Sequence, residues 1–466
     1  ANYYLLLTDA VTERAHNYFN SFKRVDYNYA HKANEFVDTN MYIKVDINYP
    51  LEPQDEFEDA YSYYRYYGGN DEDEQDKGYQ SKTLYMNLVS PETGESAVIT
   101  YYKYYKYYTA QDSSYWSNIV DAYVGDENTY PLKLSSIKYD TTGGIKKVDY
   151  LFTDTGSSKG IRIKMFVKGA VNYSITSLID TIVGPSPFIN LVFNSFEPLD
   201  TTIGESIFTD KTPVFISDLF SQDTIPKQHA EQCLNRVTIS KEYLDSLQLA
   251  FYKVKFEKDG LLKKAQLIET IGKTKEENAI PFLEKIYKNS VDTFIYQVAV
   301  LEALAMLEKD RSFQSFKNLV LEEAPLTDNS YKINSIFYEL NDTLELASKL
   351  YPDLLELTSY PEYKDNIYSL LAQLLDSNKI EAERYRSEVR KITREAKDQL
   401  KRQYASETKG KSRYSKSNES YNVLLDDFVK ILTPYYQEDE SVKEYFSRLL
   451  RSQNKRLKMN TVLHLT

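Results

Sequence analysis

The sequence predicts an α+β domain built on an antiparallel sheet, followed by an all-α solenoid, and three observations carry that prediction. Up to residue 225, short β-type runs alternate with Gly-, Asp- and Ser-rich turns. From Gln228 onward the apolar period becomes that of a helix. Within this second part a pattern recurs: Ile268/Ile271, Leu301/Leu304, Ile333/Ile336 and Ile367/Leu370, at spacings of 33, 32 and 34 residues.

In order along the chain, residues 1–80 form a β-containing segment. Met41–Asn48 alternates as a strand, and Gly68–Gly78 reads as an acidic loop. The α+β domain is expected over residues 81–225. Leu84–Val89 and Ala97–Tyr108 flank Ser90-Pro91-Glu92-Thr93-Gly94-Glu95, a strand–loop–strand signature. Thr129–Tyr139 precedes a turn at residues 140–144. Val148–Thr153 and Ile161–Val167 flank a polar tip at residues 154–160, and Val171–Ser177 follows Lys168-Gly169. Trp116–Val124 and Pro187–Phe196 read as helices covering the sheet.

Residues 226–404 carry the helical repeats. Leu283, Ile286 and Tyr287 recur as Phe316, Leu319 and Val320, so two helices of about 12 residues and two turns fill each period. Pro281, Pro325, Pro352 and Pro361 fall at expected helix starts or connections, where proline is tolerated. Ile380–Tyr404 reads as one long charged helix, residues 405–420 as a Lys/Ser-rich loop, and residues 421–466 as a further, truncated repeat with helices at Val423–Leu432 and Val442–Leu450.

Composition narrows the function classes. A hydrophobic fraction of 42% with 27% charged residues belongs to a soluble globular protein. The net charge of −12 argues against a general nucleic-acid binder, which needs a cationic surplus. A single cysteine, Cys233, excludes an intrachain disulfide and a Cys-based zinc site, and reads as a small buried apolar residue. No apolar run reaches the length needed to cross a bilayer. The Ala-Asn-Tyr-Tyr start and the ending without a polar tail lead us to expect a mature or partial chain from a longer protein.

No stretch spells out a reaction. Asp154-Thr155-Gly156-Ser157 has the letters of an aspartic-protease loop, but that chemistry needs two such aspartates. The one nearby apolar-apolar-Gly partner, Ile182-Val183-Gly184, leaves too little chain for a lobe, so a hairpin tip is expected. Gly272-Lys273-Thr274 resembles the end of a phosphate loop but lacks the Gly five residues earlier, where Leu267 stands on an expected helix. The acidic run Asp71–Asp76 fails the calcium-loop order, with Asp76 where a Gly is required. His16, His31, His229 and His464 are far apart. No catalytic residue, metal site or cofactor is therefore expected.

Two features point to partners. Tyrosine is abundant, 43 against 21 Phe and one Trp, and residues 100–109 read Thr-Tyr-Tyr-Lys-Tyr-Tyr-Lys-Tyr-Tyr-Thr. As a strand, this run puts three tyrosines and one lysine on each face, which predicts a strand covered on both sides. Tyr101, Tyr102, Tyr104 and Tyr105 are the candidate contact residues there. Lys411 and Arg413 are candidates in a basic stretch suited to an acidic partner or anionic surface.

The stretch Lys147–Ser177, with its polar Asp-Thr-Gly-Ser-Ser-Lys-Gly turn between two long strands and Gly169 shortly before Tyr173, resembles the late hairpin of PsbP/Mog1-like domains. Phe193-Asn194-Ser195-Phe196-Glu197-Pro198 resembles the closing helix of that domain. With the helical repeat, residues 80–450 look like large envelope proteins of Bacteroidota in which such a domain precedes HEAT-like repeats, some of them of TraB/GumN type. The Gly/His signatures of TraB/GumN proteins are not in these residues, and the first 80 residues depart from the pattern. The resemblance implies an α/β/α domain before a HEAT-like solenoid, an extracytoplasmic setting (periplasm or outer membrane) and a binding role. The expected function is a non-enzymatic scaffold contacting other envelope proteins, with membrane attachment outside this segment. The alternatives are a carbohydrate- or peptide-processing enzyme with Asp154 among its acids, and a glycan-binding module presenting coplanar tyrosines.

Overall fold

The computed structural model describes residues 12–21, 32–49, 78–124, 132–256, 258–327, 331–408 and 421–465. The chain divides into two compact units, residues 1–215 and 216–466.

The first unit contains, in order, α1 (Glu13–Ser21), β1 (Asn34–Asp38), β2 (Ile43–Ile47), β3 (Lys82–Val89), β4 (Ser96–Lys103), α2 (Asp112–Tyr123), β5 (Leu132–Thr142), β6 (Ile145–Asp154), β7 (Lys159–Lys168), β8 (Val171–Asp180), α3 (Pro187–Ser195) and the short β9 (Glu197–Pro198), and ends inside α4 (Thr212–Leu219). Strands β3 to β8 form one antiparallel sheet in the order β3-β4-β8-β7-β6-β5, and β1, β2 and β9 form a small second sheet. The β5–β6 hairpin turns on Gly143 and Gly144, both at positive φ, the geometry a two-residue hairpin loop requires.

Directly opposed residues share a face, so register decides which core each side chain enters. Ile99 opposes Ile175, Tyr101 opposes Tyr173, and Tyr173 opposes Phe166 on its other side. These join Ile43, Val45, Phe188, Val192 and Phe193 in one core, beneath β2 and α3. On the other face Val148, Tyr150 and Phe152 of β6 meet Ile163 and Met165 of β7, under Tyr115 and Trp116 of α2. The large sheet is thus covered on both sides, giving three layers. Ser186 caps α3 by accepting from the Ile189 amide, and Pro187 occupies its first turn.

The sheet corrects one expectation. The predicted strand Ala97–Tyr108 stops at Lys103. Lys103 is the last residue with a partner on each side, Lys82 of β3 and Val171 of β8. The Tyr104 amide still donates to the Ala170 carbonyl, but the β7–β8 turn ends the neighbouring strand there. Residues 104–110 continue as a loop, held by Lys106 N to Gly78 O and Ala110 N to Ile207 O.

The second unit contains α5 (Thr224–Cys233), α6 (Leu244–Lys253), α7 (Gly260–Lys273), α8 (Ile280–Lys288), α9 (Phe294–Met306), α10 (Asp310–Glu322), α11 (Tyr331–Asp342), α12 (Leu344–Ala347), α13 (Pro361–Asp376), α14 (Val389–Thr408), α15 (Leu424–Leu432), α16 (Glu440–Leu449) and α17 (Lys455–Leu465). The repeated apolar pairs lie on α7, α9, α11 and α13 and are all buried. These helices pack in succession, α7 on α9, α9 on α11, α11 on α13, α13 on α15 and α15 on α17. A second row runs from α8 to α10 and on to a 3₁₀ segment at Asp353–Ser359.

Two details differ from the sequence reading. No regular second helix follows α11: α12 gives way to short 3₁₀ turns around Pro352, which cannot extend a helix across itself. The long helix expected over Ile380–Tyr404 is broken at Tyr385 (φ −119°, ψ 19°), so that α14 begins only at Val389. The Tyr385 ring is buried, and its hydroxyl donates to the Ile431 carbonyl at 2.8 Å, which fixes the break.

Candidate functional site

The tyrosine run separates into packed and half-exposed members. Tyr101 is 3% exposed and meets the Tyr173 ring edge-on, centroids 5.6 Å apart, so it serves the core rather than a surface. Tyr107 is buried against Phe215. Beyond Lys103 the loop turns Tyr104 onto α2. Its hydroxyl lies 3.0 Å from that of Tyr115, and its ring stacks on Tyr108 at 4.2 Å. Burial pushes the Tyr104 hydroxyl far above its ordinary pKa, with Tyr115 beside it adding to the shift, and burial raises Tyr115 to about 12. Tyr102 meets Tyr104 edge-on at 4.7 Å, and Tyr105 meets Tyr108 edge-on at 5.8 Å. The rings interlock. A flat, coplanar platform of the kind that stacks on a sugar is not what Tyr102, Tyr104 and Tyr105 form.

Asp154 sits at the β6–β7 tip as a turn residue. Its carboxylate accepts from the Gly156 amide at 2.8 Å and the Ser157 hydroxyl at 2.6 Å, which holds its pKa below the usual range. Gly272 lies within α7, where an added Cβ would stand 2.6 Å from Ala303 Cα of α9. That close helix contact explains the glycine of the Gly-Lys-Thr triplet without any phosphate. Cys233 is buried, and burial pushes its thiol up to about 11. His16, His229 and His464 fall on α1, α5 and α17. Lys411, Arg413, His31 and the acidic run Asp71–Asp76 lie outside the described residues.

Two polar features of the helical unit escaped the sequence reading. Glu269, Glu302 and Glu339 stand on the successive helices α7, α9 and α11. Burial pushes the Glu302 carboxyl up to about 7, Glu269 and Glu339 adding to the shift while a Ser335 hydrogen bond opposes it. Burial raises Glu269 and Glu339 as well. The 33-residue step from Glu269 to Glu302 was visible in the sequence, but their burial was not.

The second is an open groove of about 590 Å³ between α14 and the start of α16. Arg390, Arg394, Lys397 and Lys401 line one wall and Glu438, Asp439 and Glu440 the other. The walls are cross-tied: Lys397 donates to Glu444 at 2.7 Å and to Ser441 at 2.8 Å, and Asp439 caps α16. Among the described residues no group of three His, Cys, Asp or Glu side chains is placed to hold a metal ion. Among them, too, no helix is long and apolar enough to cross a membrane.

No family model matches this chain, and no curated protein matches it. A solved structure described as showing lipid–protein interactions in lipovitellin aligns with 82% of this chain and 42% of its own, at 12% identity and a TM-score of 0.22. The chain therefore spans less than half the length of that protein, and a likeness at this level carries no argument about fold or function.

Proposed function

We propose that this chain is a non-enzymatic interaction component of a bacterial cell-envelope assembly, in which a PsbP/Mog1-like sheet domain precedes a HEAT-like solenoid that contacts partner proteins. One observation supports the reading above the others: side chains in the helical unit tie to positions one repeat away. Thr270 reaches the Leu234 carbonyl, Lys273 that of Asn235, Ser315 reaches Glu284, Asn366 reaches Asn334, and Lys391 the Leu355 carbonyl, at separations of 31 to 38 residues. A stack held by nearest-neighbour ties leaves long helix faces for partners. The extracytoplasmic setting and other envelope proteins as partners follow from the sequence resemblance.

The test is cross-linking in intact cells followed by affinity purification from native membranes. Recovery of specific cross-linked proteins from the envelope fraction is the expected result. Recovery of the chain alone and monomeric, or from the cytoplasmic fraction, sinks the reading.

A further inference from the structure

The two walls of the groove between α14 and α16 carry opposite charge, and they are not equally satisfied. On the acidic wall Glu438 accepts from Arg386 at 2.9 Å, and Glu440 pairs with Lys443 at 3.4 Å. Asp439 accepts from the Ser441 and Val442 amides at 2.8 and 3.1 Å. On the basic wall Arg390, Arg394, Lys397 and Lys401 follow at i, i+4, i+7 and i+11, one stripe of α14. Lys397 is tied to Glu444, and Lys401 to Asp398 at 2.8 Å. Arg390 and Arg394 are exposed and make no hydrogen bond or ion pair among the described residues. Asp398 feels the charge of Arg394, but its carboxylate accepts from Lys401 instead.

The groove does not stand alone. A second, of about 420 Å³, is lined by Ser348, Lys379, Glu383 and Arg384. Arg386 donates to Glu383 of this groove and to Glu438 of the first, so the two adjoin. A third, of about 390 Å³, takes up at Lys349, the residue after Ser348, and reaches Arg311 and Lys317 of α10. The three follow one another along an edge of the helical unit, a length that suits an extended chain rather than a single ion.

We infer that the α14–α16 groove binds an extended acidic segment of a partner protein, whose carboxylates at i and i+2 are held by Arg390 and Arg394; this rests on the scaffold reading and assigns it a site. Spacing and charge choose the occupant. Side chains one turn apart on a helix stand about 5–6 Å apart at Cβ. Alternate side chains of an extended strand point the same way, about 6.6 Å apart. A guanidinium presents a planar fork that takes a carboxylate through two parallel hydrogen bonds. The acidic wall disfavours a uniformly anionic surface such as a membrane or a nucleic acid, because Glu438, Asp439 and Glu440 would face it across the groove.

The test titrates residues 1–466 into a labelled Gly-Ser-Glu-Ala-Glu-Ser-Gly peptide, followed by fluorescence anisotropy at low ionic strength. Saturable binding is expected that weakens with added salt. The double variant Arg390→Ala/Arg394→Ala should weaken it about tenfold or more. Neither side chain has a partner to lose, so the variant's thermal melt should match the parent's. The reversed variant Arg390→Glu/Arg394→Glu should prefer the same peptide with Lys in place of Glu. Absence of saturable binding, equal binding by the alanine variant, or an unchanged preference in the reversed one overturns the inference. So does equal displacement by equimolar inorganic phosphate, which would give the arginines to a small anion. Self-association that the alanine variant abolishes, or arginine-dependent binding to phosphatidylcholine/phosphatidylglycerol vesicles without peptide binding, overturns it as well. If cross-linking in cells still captures the same envelope partners with the alanine variant, the scaffold reading stands and this site is wrong.

Discussion

The sheet unit and the helical unit both bury many tyrosines, but they bring residues together over very different sequence distances. In the sheet unit the Asp46 amide donates to Ser195 across 149 residues, and Ser177 reaches the Ser96 carbonyl across 81. In the helical unit Tyr287 donates to the Glu323 carbonyl at 36 residues and Tyr363 to that of Pro325 at 38. Tyrosine plays a different part in each. In the sheet its ring fills across strands, as Tyr101 and Tyr173 do, although Tyr150 also donates to the Trp116 carbonyl of α2. Between helices it is a ring with a donor at its tip, satisfying carbonyls at the ends of α10, α15 and α16 through Tyr287, Tyr385 and Tyr404. The abundance of tyrosine thus answers two separate packing problems.

The largest effects should come from the cores. Ile175 and Leu301 are both fully buried, and either one changed to Ala should cost about 2–5 kcal/mol. The comparison predicts different shapes of urea transition. Ile175→Ala, read by fluorescence of the single Trp116, should shift the transition without broadening it. Leu301→Ala, read by circular dichroism at the helix band, should also broaden it, because helices that pack in succession can open locally. Equal sharpness in both would break the comparison.

Next comes Glu302. Its carboxyl is raised from 4.5 to about 7 in the folded protein. As pH rises through that window the unfolded chain loses its proton while the folded chain keeps it. Stability should therefore fall with rising pH, by up to about 3 kcal/mol, and level off above the folded pKa. Glu302→Gln should flatten that slope in melts from acid to mildly alkaline pH. An unchanged slope would shift the role to Glu269 or Glu339.

A smaller loss, about 1–3 kcal/mol, is expected from Gly272→Ala, because the new Cβ meets the Ala303 backbone rather than a side chain that can move. Smaller still is Tyr287→Phe, at about 1 kcal/mol, from the hydrogen bond lost to Glu323. Both are read by chemical denaturation. A neutral result for Tyr287→Phe would mean that its ring alone matters at that position.

The helical period was legible because α7, α9, α11 and α13 pack in succession, so their buried residues recur at a nearly fixed spacing. Ile268, Leu301, Ile333 and Ile367 therefore announce α7, α9, α11 and α13 before any coordinates. The strands were legible from turn chemistry and alternation. The break at Tyr385 was not, because it depends on the carbonyl of Ile431, 46 residues away. Nor was the candidate surface: Tyr101 and Tyr102 are identical letters, and only the register of β4 against β8 sends one into the core.

By itself, then, the sequence determined the order of the two units, the phase of the helices and the positions of most turns, since these follow from local sterics and hydrophobic periodicity. The end of β4, the interlocking of Tyr102, Tyr104 and Tyr108 and the rise of Glu302 were decided only by tertiary structure. Strand length, ring contact, desolvation and exposure each depend on what lies opposite a residue, and that partner is set by packing across the chain.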